Sequence, residues 1–132
     1  MATSYAMLPV VVHKIRREEC TESFLKGFLH EANREVVDKD QRFLEARTRY
    51  FLQLRSRRER LQVDPCFEAE EAALLYSRLA LEALESFMKG KKSAMLGEAL
   101  YNFEASERMF AQLVKRRLRL APINQEDLQR AA

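Results

Sequence analysis

Apolar residues recur through the middle of the chain at the spacing of an α-helix. Leu25, Phe28, Leu29, Ala32, Val36, Phe43, Ala46, Tyr50, Leu54 and Leu61 share one face, within an arc of about 100°. Lys39, Arg47 and Arg57 intrude on it near the edges. Thr21 precedes the stripe, and a threonine there can cap the first turn. No Gly or Pro lies between Gly27 and Pro65. The pattern predicts one helix over residues 22–62, about 60 Å long at 1.5 Å per residue. The alternative is a break at Val37-Asp38, with Asp38 capping a new helix. The unbroken phase of the stripe favours continuity.

Asp64-Pro65 predicts the start of a second long helix. Aspartate caps, and proline sits in the first turn, where its missing N–H costs nothing. The segment runs to Gly90, a plausible stop. Its apolar arc, which includes Leu74, Leu75, Leu79, Leu81, Leu84 and Phe87, covers about 200°. So wide an arc predicts a central helix touching two or more neighbours. Ser93 caps a third helix over 94–119, ending before Pro122. Leu96, Ala99, Leu100, Phe103, Phe110, Leu113, Val114 and Leu118 form its inner face. The short GKKS connection makes the last two helices antiparallel.

The predicted fold is therefore all-α. A long amphipathic helix (22–62) packs against an antiparallel helical hairpin (65–89 and 94–119). Residues 1–20 form an N-terminal arm, 21–121 the bundle, and 122–132 a tail that adds a short helix from Asn124. The long helix overhangs the hairpin by about 20 Å if unbroken. Phe28, Leu29, Val36 and Phe43 on its face then need cover. The arm supplies part of it, and a partner protein or a second copy supplies the rest.

Composition agrees. Apolar residues are 47% and charged residues 33% of 132, with three Gly and three Pro. So few chain breakers exclude a turn-rich β fold. No apolar run approaches the roughly 18 residues that span a bilayer. The opening MATSYAMLPVVVHKIRR has no acidic residue, and its apolar run is short for a secretory signal. Its composition also suits a mitochondrial presequence. The preferred reading is an irregular arm that packs on the bundle or a neighbour. Cys20 and Cys66 have neither metal nor redox spacing. They read as thiols in a reducing compartment, cytoplasmic before mitochondrial.

Chemistry nearly appears in several places and fails on spacing. GKKS at 90–93 lacks the earlier glycine of a phosphate loop, because position 85 is Glu. HEANR at 30–34 has Arg where a zinc-protease helix needs its second His. The Glu-x-x-His pairs of di-iron bundles are missing. No enzyme, cofactor or metal is expected.

Charge placement is the remaining signal. Residues 39–62 hold eight basic and three acidic side chains, 63–89 two and six, and 90–121 seven and three. RSRRER (55–60) and KRRLR (115–119) should meet the acidic start of the middle helix at one end of the bundle. Helix dipoles favour this arrangement, with cations at C-termini and anions at N-termini. Pairing leaves a surplus of about three positive charges, enough to dock on an acidic surface. The expected role is a non-enzymatic protein–protein interaction module, an adaptor or structural subunit of a larger assembly. The candidate contacts are Phe28, Phe43 and Phe51 with Arg55, Arg57 and Arg58, since aromatics and arginine anchor interfaces. The alternative is an RNA- or DNA-associated protein. It would touch backbone phosphates through Arg55, Arg57, Arg58 and Arg60 with Lys115, Arg116, Arg117 and Arg119.

Overall fold

A computed structural model describes residues 4–53 and 65–120, with 65 and 117–120 described by backbone alone. Among these residues there are four α-helices and no strand: α1 (Leu8–Arg16), α2 (Glu22–Gln53), α3 (Pro65–Gly90) and α4 (Ala94–Leu120). The chain is all-α, with α3 and α4 packed closely as a hairpin. Alanines make the close approach possible. Ala80 and Ala99 are fully buried, and Ala83 and Ala105 nearly so.

α2 runs without a break through Val37 and Asp38 to Gln53, about 48 Å. Thr21 caps it as expected, its hydroxyl accepting from the Phe24 N–H at 3.1 Å. The predicted continuation to 62 lies outside the described residues, as do Asp64 and the tail. α2 lies antiparallel to α3. Arg78 donates to Asp40 at 2.9 Å, and Arg47 approaches Glu71 at 3.4 Å. The Tyr50 ring meets Phe67 at 5.0 Å between centroids. α3 contacts both α2 and α4 and is the central helix. Its apolar arc is wider than these neighbours cover, so Leu75 and Leu79 remain partly exposed.

The arm packs on the bundle, as expected, but its course is helical rather than irregular. A single 3-10 turn (Tyr5–Met7) leads into α1, with Pro9 in the first turn of the helix. Leu8, Val11 and Val12 are buried, with Ile15 packed beside them. Three consecutive β-branched residues are poor helix formers. Packing, not propensity, holds this helix.

The bundle has two unequal ends. At one, α1 joins the first part of α2, the second part of α3 and the first part of α4. Tyr5, Leu8, Leu29, Leu84, Leu96 and Phe103 belong to that shared core. At the other end α2, α3 and α4 pack without a fourth element among the described residues. Phe43, Tyr50 and Phe67 form the aromatic contacts there.

Helix α3 stops one residue later than the glycine suggests. Gly90 is still helical, and Lys91 takes the left-handed turn with φ 56°. The Lys91 N–H donates to the Phe87 carbonyl at 2.7 Å. The end of α1 is similar, with Glu18 at φ 59°. There Glu18 N–H donates to Ile15 O at 3.0 Å and Glu19 N–H to Lys14 O at 2.9 Å. That pair of bonds is a Schellman motif with glutamate in glycine's usual place.

Candidate interaction surface

The arm is fixed by two polar contacts that position everything on its outer side. At its start no side chain of its own caps the turn. Glu35 on α2 does this instead. Its carboxylate accepts from the Ser4 N–H at 2.6 Å and the Tyr5 N–H at 2.9 Å. These are charge-assisted bonds at a helix start, where an anion is favoured. On the inner side, the Tyr5 hydroxyl and Ser106 Oγ share a buried hydrogen bond of 2.6 Å. Ser106 also donates to Phe103 O, and Ser77 to Ala73 O. Burial pushes the Tyr5 phenol above its ordinary value of 10.0, hydrogen bonds with Ser106 and Ser77 oppose this, and Glu107 adds a smaller upward push.

Antiparallel α1 and α2 leave a surface groove between them. Met7, Val10 and Lys14 line one wall, and Phe24, Gly27 and Glu31 the other. The Lys14 ammonium lies 5.3 Å from the centre of the Phe24 ring, a cation–π contact. Met7, Val10 and Phe24 are 41%, 43% and 49% exposed, unusual for side chains of this kind grouped together. Nothing lies within 4 Å of where a Cβ on Gly27 would stand.

A second apolar line runs down the outer face of α2. Val37, Leu44 and Leu52 are 62%, 56% and 76% exposed. Gln41, Thr48 and Glu45 surround a shallow hollow at Leu44. Beside this line Asp38, Arg42, Glu45 and Arg49 alternate in sign along the helix. Asp38 and Arg42 pair at 3.0 Å.

Several predicted contact residues fall elsewhere. Phe28 and Phe43 are only 8% and 6% exposed. Phe28 is enclosed with α1 and α3 in the shared core, and Phe43 packs on Phe67. The face that seemed to need an outside cover is covered by the chain itself. Neither ring can therefore act as a surface anchor in this fold. Phe51 is half-buried on α2, with the Arg47 guanidinium 5.7 Å from its ring centre. Arg55, Arg57, Arg58 and Arg60 lie outside the described residues. Lys115 and Arg116 are exposed on α4 and edge a hollow with Ala69, Met109, Gln112 and Leu113. Only the backbone of Arg117 and Arg119 is described. Arg47, upstream of the RSRRER run, approaches Glu71 at 3.4 Å, while the expected pairing of residues 55–60 with the acidic start of α3 lies outside the described residues.

Sequence reasoning missed the groove. Its signal was present: Met7, Val10 and Lys14 share one helical face (i, i+3, i+7), distinct from the face of Leu8, Val11 and Val12. Reading the arm as irregular hid that second face. Neither cysteine forms a disulfide. Cys66 is buried, and burial pushes the Cys20 thiol up against the opposing effect of Lys14. Among the described residues no His, Cys, Asp and Glu cluster is arranged to hold a metal ion, and no helix is long and apolar enough to cross a membrane. Comparison with protein-family models, curated proteins and solved structures finds no match.

Proposed function

We propose that this chain is a non-enzymatic protein–protein interaction module, an adaptor or structural subunit that docks an amphipathic helix of another protein along the outer face of α2. The supporting observation is the line of Val37, Leu44 and Leu52, each more than half exposed on a helix whose opposite face is already buried. Val37 and Leu44 are seven residues apart, one of the spacings that helix-in-groove anchors use. The alternating row of Asp38, Arg42, Glu45 and Arg49 gives the line a charged border. A partner helix carrying opposite charges in the same alternation would be held in one register, since rim charges select partner and orientation more than they add affinity.

A photo-crosslinking side chain at Leu44 in the full chain tests this in the source cell. The expected product is an adduct with a different protein, cross-linked through an amphipathic helical peptide. Val37→Lys with Leu52→Glu should abolish it without changing helicity. Labelling no stronger than from exposed Glu104 on α4 would sink the proposal.

A further inference from the structure

The arm is bound to the bundle as a separable piece. Glu35 accepts from the Ser4 and Tyr5 N–H groups, the Tyr5 hydroxyl meets Ser106, and the Tyr5 ring lies 5.1 Å from Phe103 between centroids. Leu8, Val11 and Val12 fill the apolar part of this seat, and Lys14 lies over Phe24. These contacts all join residues 4–16 to the long helices, and none of them uses residues 17–21, which tie the arm on. The hydrogen bonds of the tie are local. Arg17, Glu18 and Glu19 donate to carbonyls of α1, and the Thr21 hydroxyl accepts from the first turn of α2. The tie is also strained. Arg17-Glu18-Glu19-Cys20-Thr21 reverses the chain without Gly, Asn or Pro. Glu18 takes the left-handed backbone there, at φ 59°, a conformation that glycine or asparagine usually fills.

We propose that the seat also takes the arm of a second copy, so that two copies open their ties and exchange residues 4–16 about a two-fold axis. Opening frees Glu18 from the left-handed conformation and breaks no contact in the seat. It gives up the bonds of the Glu18 and Glu19 N–H groups, and water replaces them because both residues are exposed.

The chain itself selects this occupant. The carboxylate of Glu35, the hydroxyl of Ser106 and the apolar floor are matched to residues 4–16, and a second copy carries the same segment. Each contact of the closed molecule is made again between copies, so no new complementarity is required, and exchange in both directions closes the pair. Short connections under strain promote such exchange. Five extended residues reach about 17 Å, more than the roughly 10–12 Å width of a helix, so the opened tie can pass the arm to a neighbouring seat. In the closed molecule the tie holds the arm at an effective concentration on the order of millimolar. Relief of Glu18 in both copies lowers the concentration at which exchange competes. The inference is independent of the outer face of α2, because the exchanged contacts do not include Val37, Leu44 or Leu52.

Sedimentation velocity of the full chain up to about 1 mM reads the equilibrium, and a dimer should form between about 0.1 and 1 mM. The exchange itself is read by NMR on an equal mixture of carbon-13-labelled and unlabelled chains. An isotope-filtered nuclear Overhauser contact from the Tyr5 ring of one copy to Phe103 of the other arises only if the arm has crossed. Glu18→Gly removes the strain from the closed form and should raise the dimer Kd by about fivefold, since two ties open per dimer. A chain that stays monomeric to 1 mM overturns the inference. So does a dimer in which Tyr5 meets Phe103 only within its own copy, or one whose Kd Glu18→Gly leaves unchanged while circular dichroism shows native helicity.

Discussion

Glu18 and Lys91 both hold a left-handed backbone at the end of a helix, a conformation that costs an L-residue about 1–2 kcal/mol. Glycine takes it freely but loses more entropy on folding. Glu18→Gly should therefore stabilise the chain by about 0.5 kcal/mol, read as a higher urea midpoint at unchanged slope. Lys91→Gly should gain less, because the ammonium lies 5.8 Å from the Phe87 ring centre and that contact is lost. Tyr5 carries a prediction about pH. Its phenol titrates above the ordinary 10.0 because burial disfavours the phenolate. The unfolded chain thus releases this proton at a lower pH than the folded one. The contribution to stability is whole below pH 10 and declines as pH rises past it toward the raised folded value. Thermal melts across that range should show a fall that Tyr5→Phe removes. At neutral pH the same variant should cost about 1 kcal/mol for the lost bond to Ser106.

The arm shows how one side chain can set the conformation of an element. α1 is nine residues long, too short to be helical alone. Its inner face buries Leu8, Val11 and Val12, and Glu35 satisfies the N–H groups of Ser4 and Tyr5. Glu35→Ala leaves those donors without their carboxylate and should cost about 1–2 kcal/mol. Hydrogen exchange would then show amides of 8–16 opening faster than those of α4. Equal protection in parent and variant would mean that apolar burial alone fixes the arm. This also explains what sequence reading could and could not reach. Thr21 and Pro65 act within a few residues, so the starts of α2 and α3 were legible from local chemistry. Glu35 caps an element 30 positions away, a relation that no spacing along the chain displays. Without it the arm's valines read as an irregular strip, and the groove they border was invisible.

At the scale of the whole molecule, the stripe on α2 was legible but its cover was not. Periodicity correctly grouped Leu25, Phe28, Leu29, Ala32, Val36 and Phe43 on one buried face. It carried no information on whether α1, α3 or another protein would lie there, and the first two do. The charge sums located basic helix ends without showing which cations pair, a question settled only by contacts such as Arg78 with Asp40. The unequal ends of the bundle follow from the same arrangement. α1 adds a fourth layer over Leu29, Leu84, Leu96 and Phe103, where four elements share one core. Toward Phe43, Phe67 and Leu113 three helices pack among the described residues. Lys39 lies 5.5 Å from the Phe110 ring centre, so a solvated side chain covers that aromatic. Fewer apolar neighbours make local opening cheaper than global unfolding. Native-state hydrogen exchange should therefore be graded along each long helix. Amides of 25–36, 80–88 and 96–103 should exchange with the free energy of global unfolding. Those of 43–53, 66–72 and 108–116 should exchange by a smaller opening that depends less on denaturant. Glu35→Ala should lower the first group toward the second, because releasing α1 removes the fourth layer from the first end. Exchange that stays uniform along α2 and α3 in the parent would show the two ends opening as one unit.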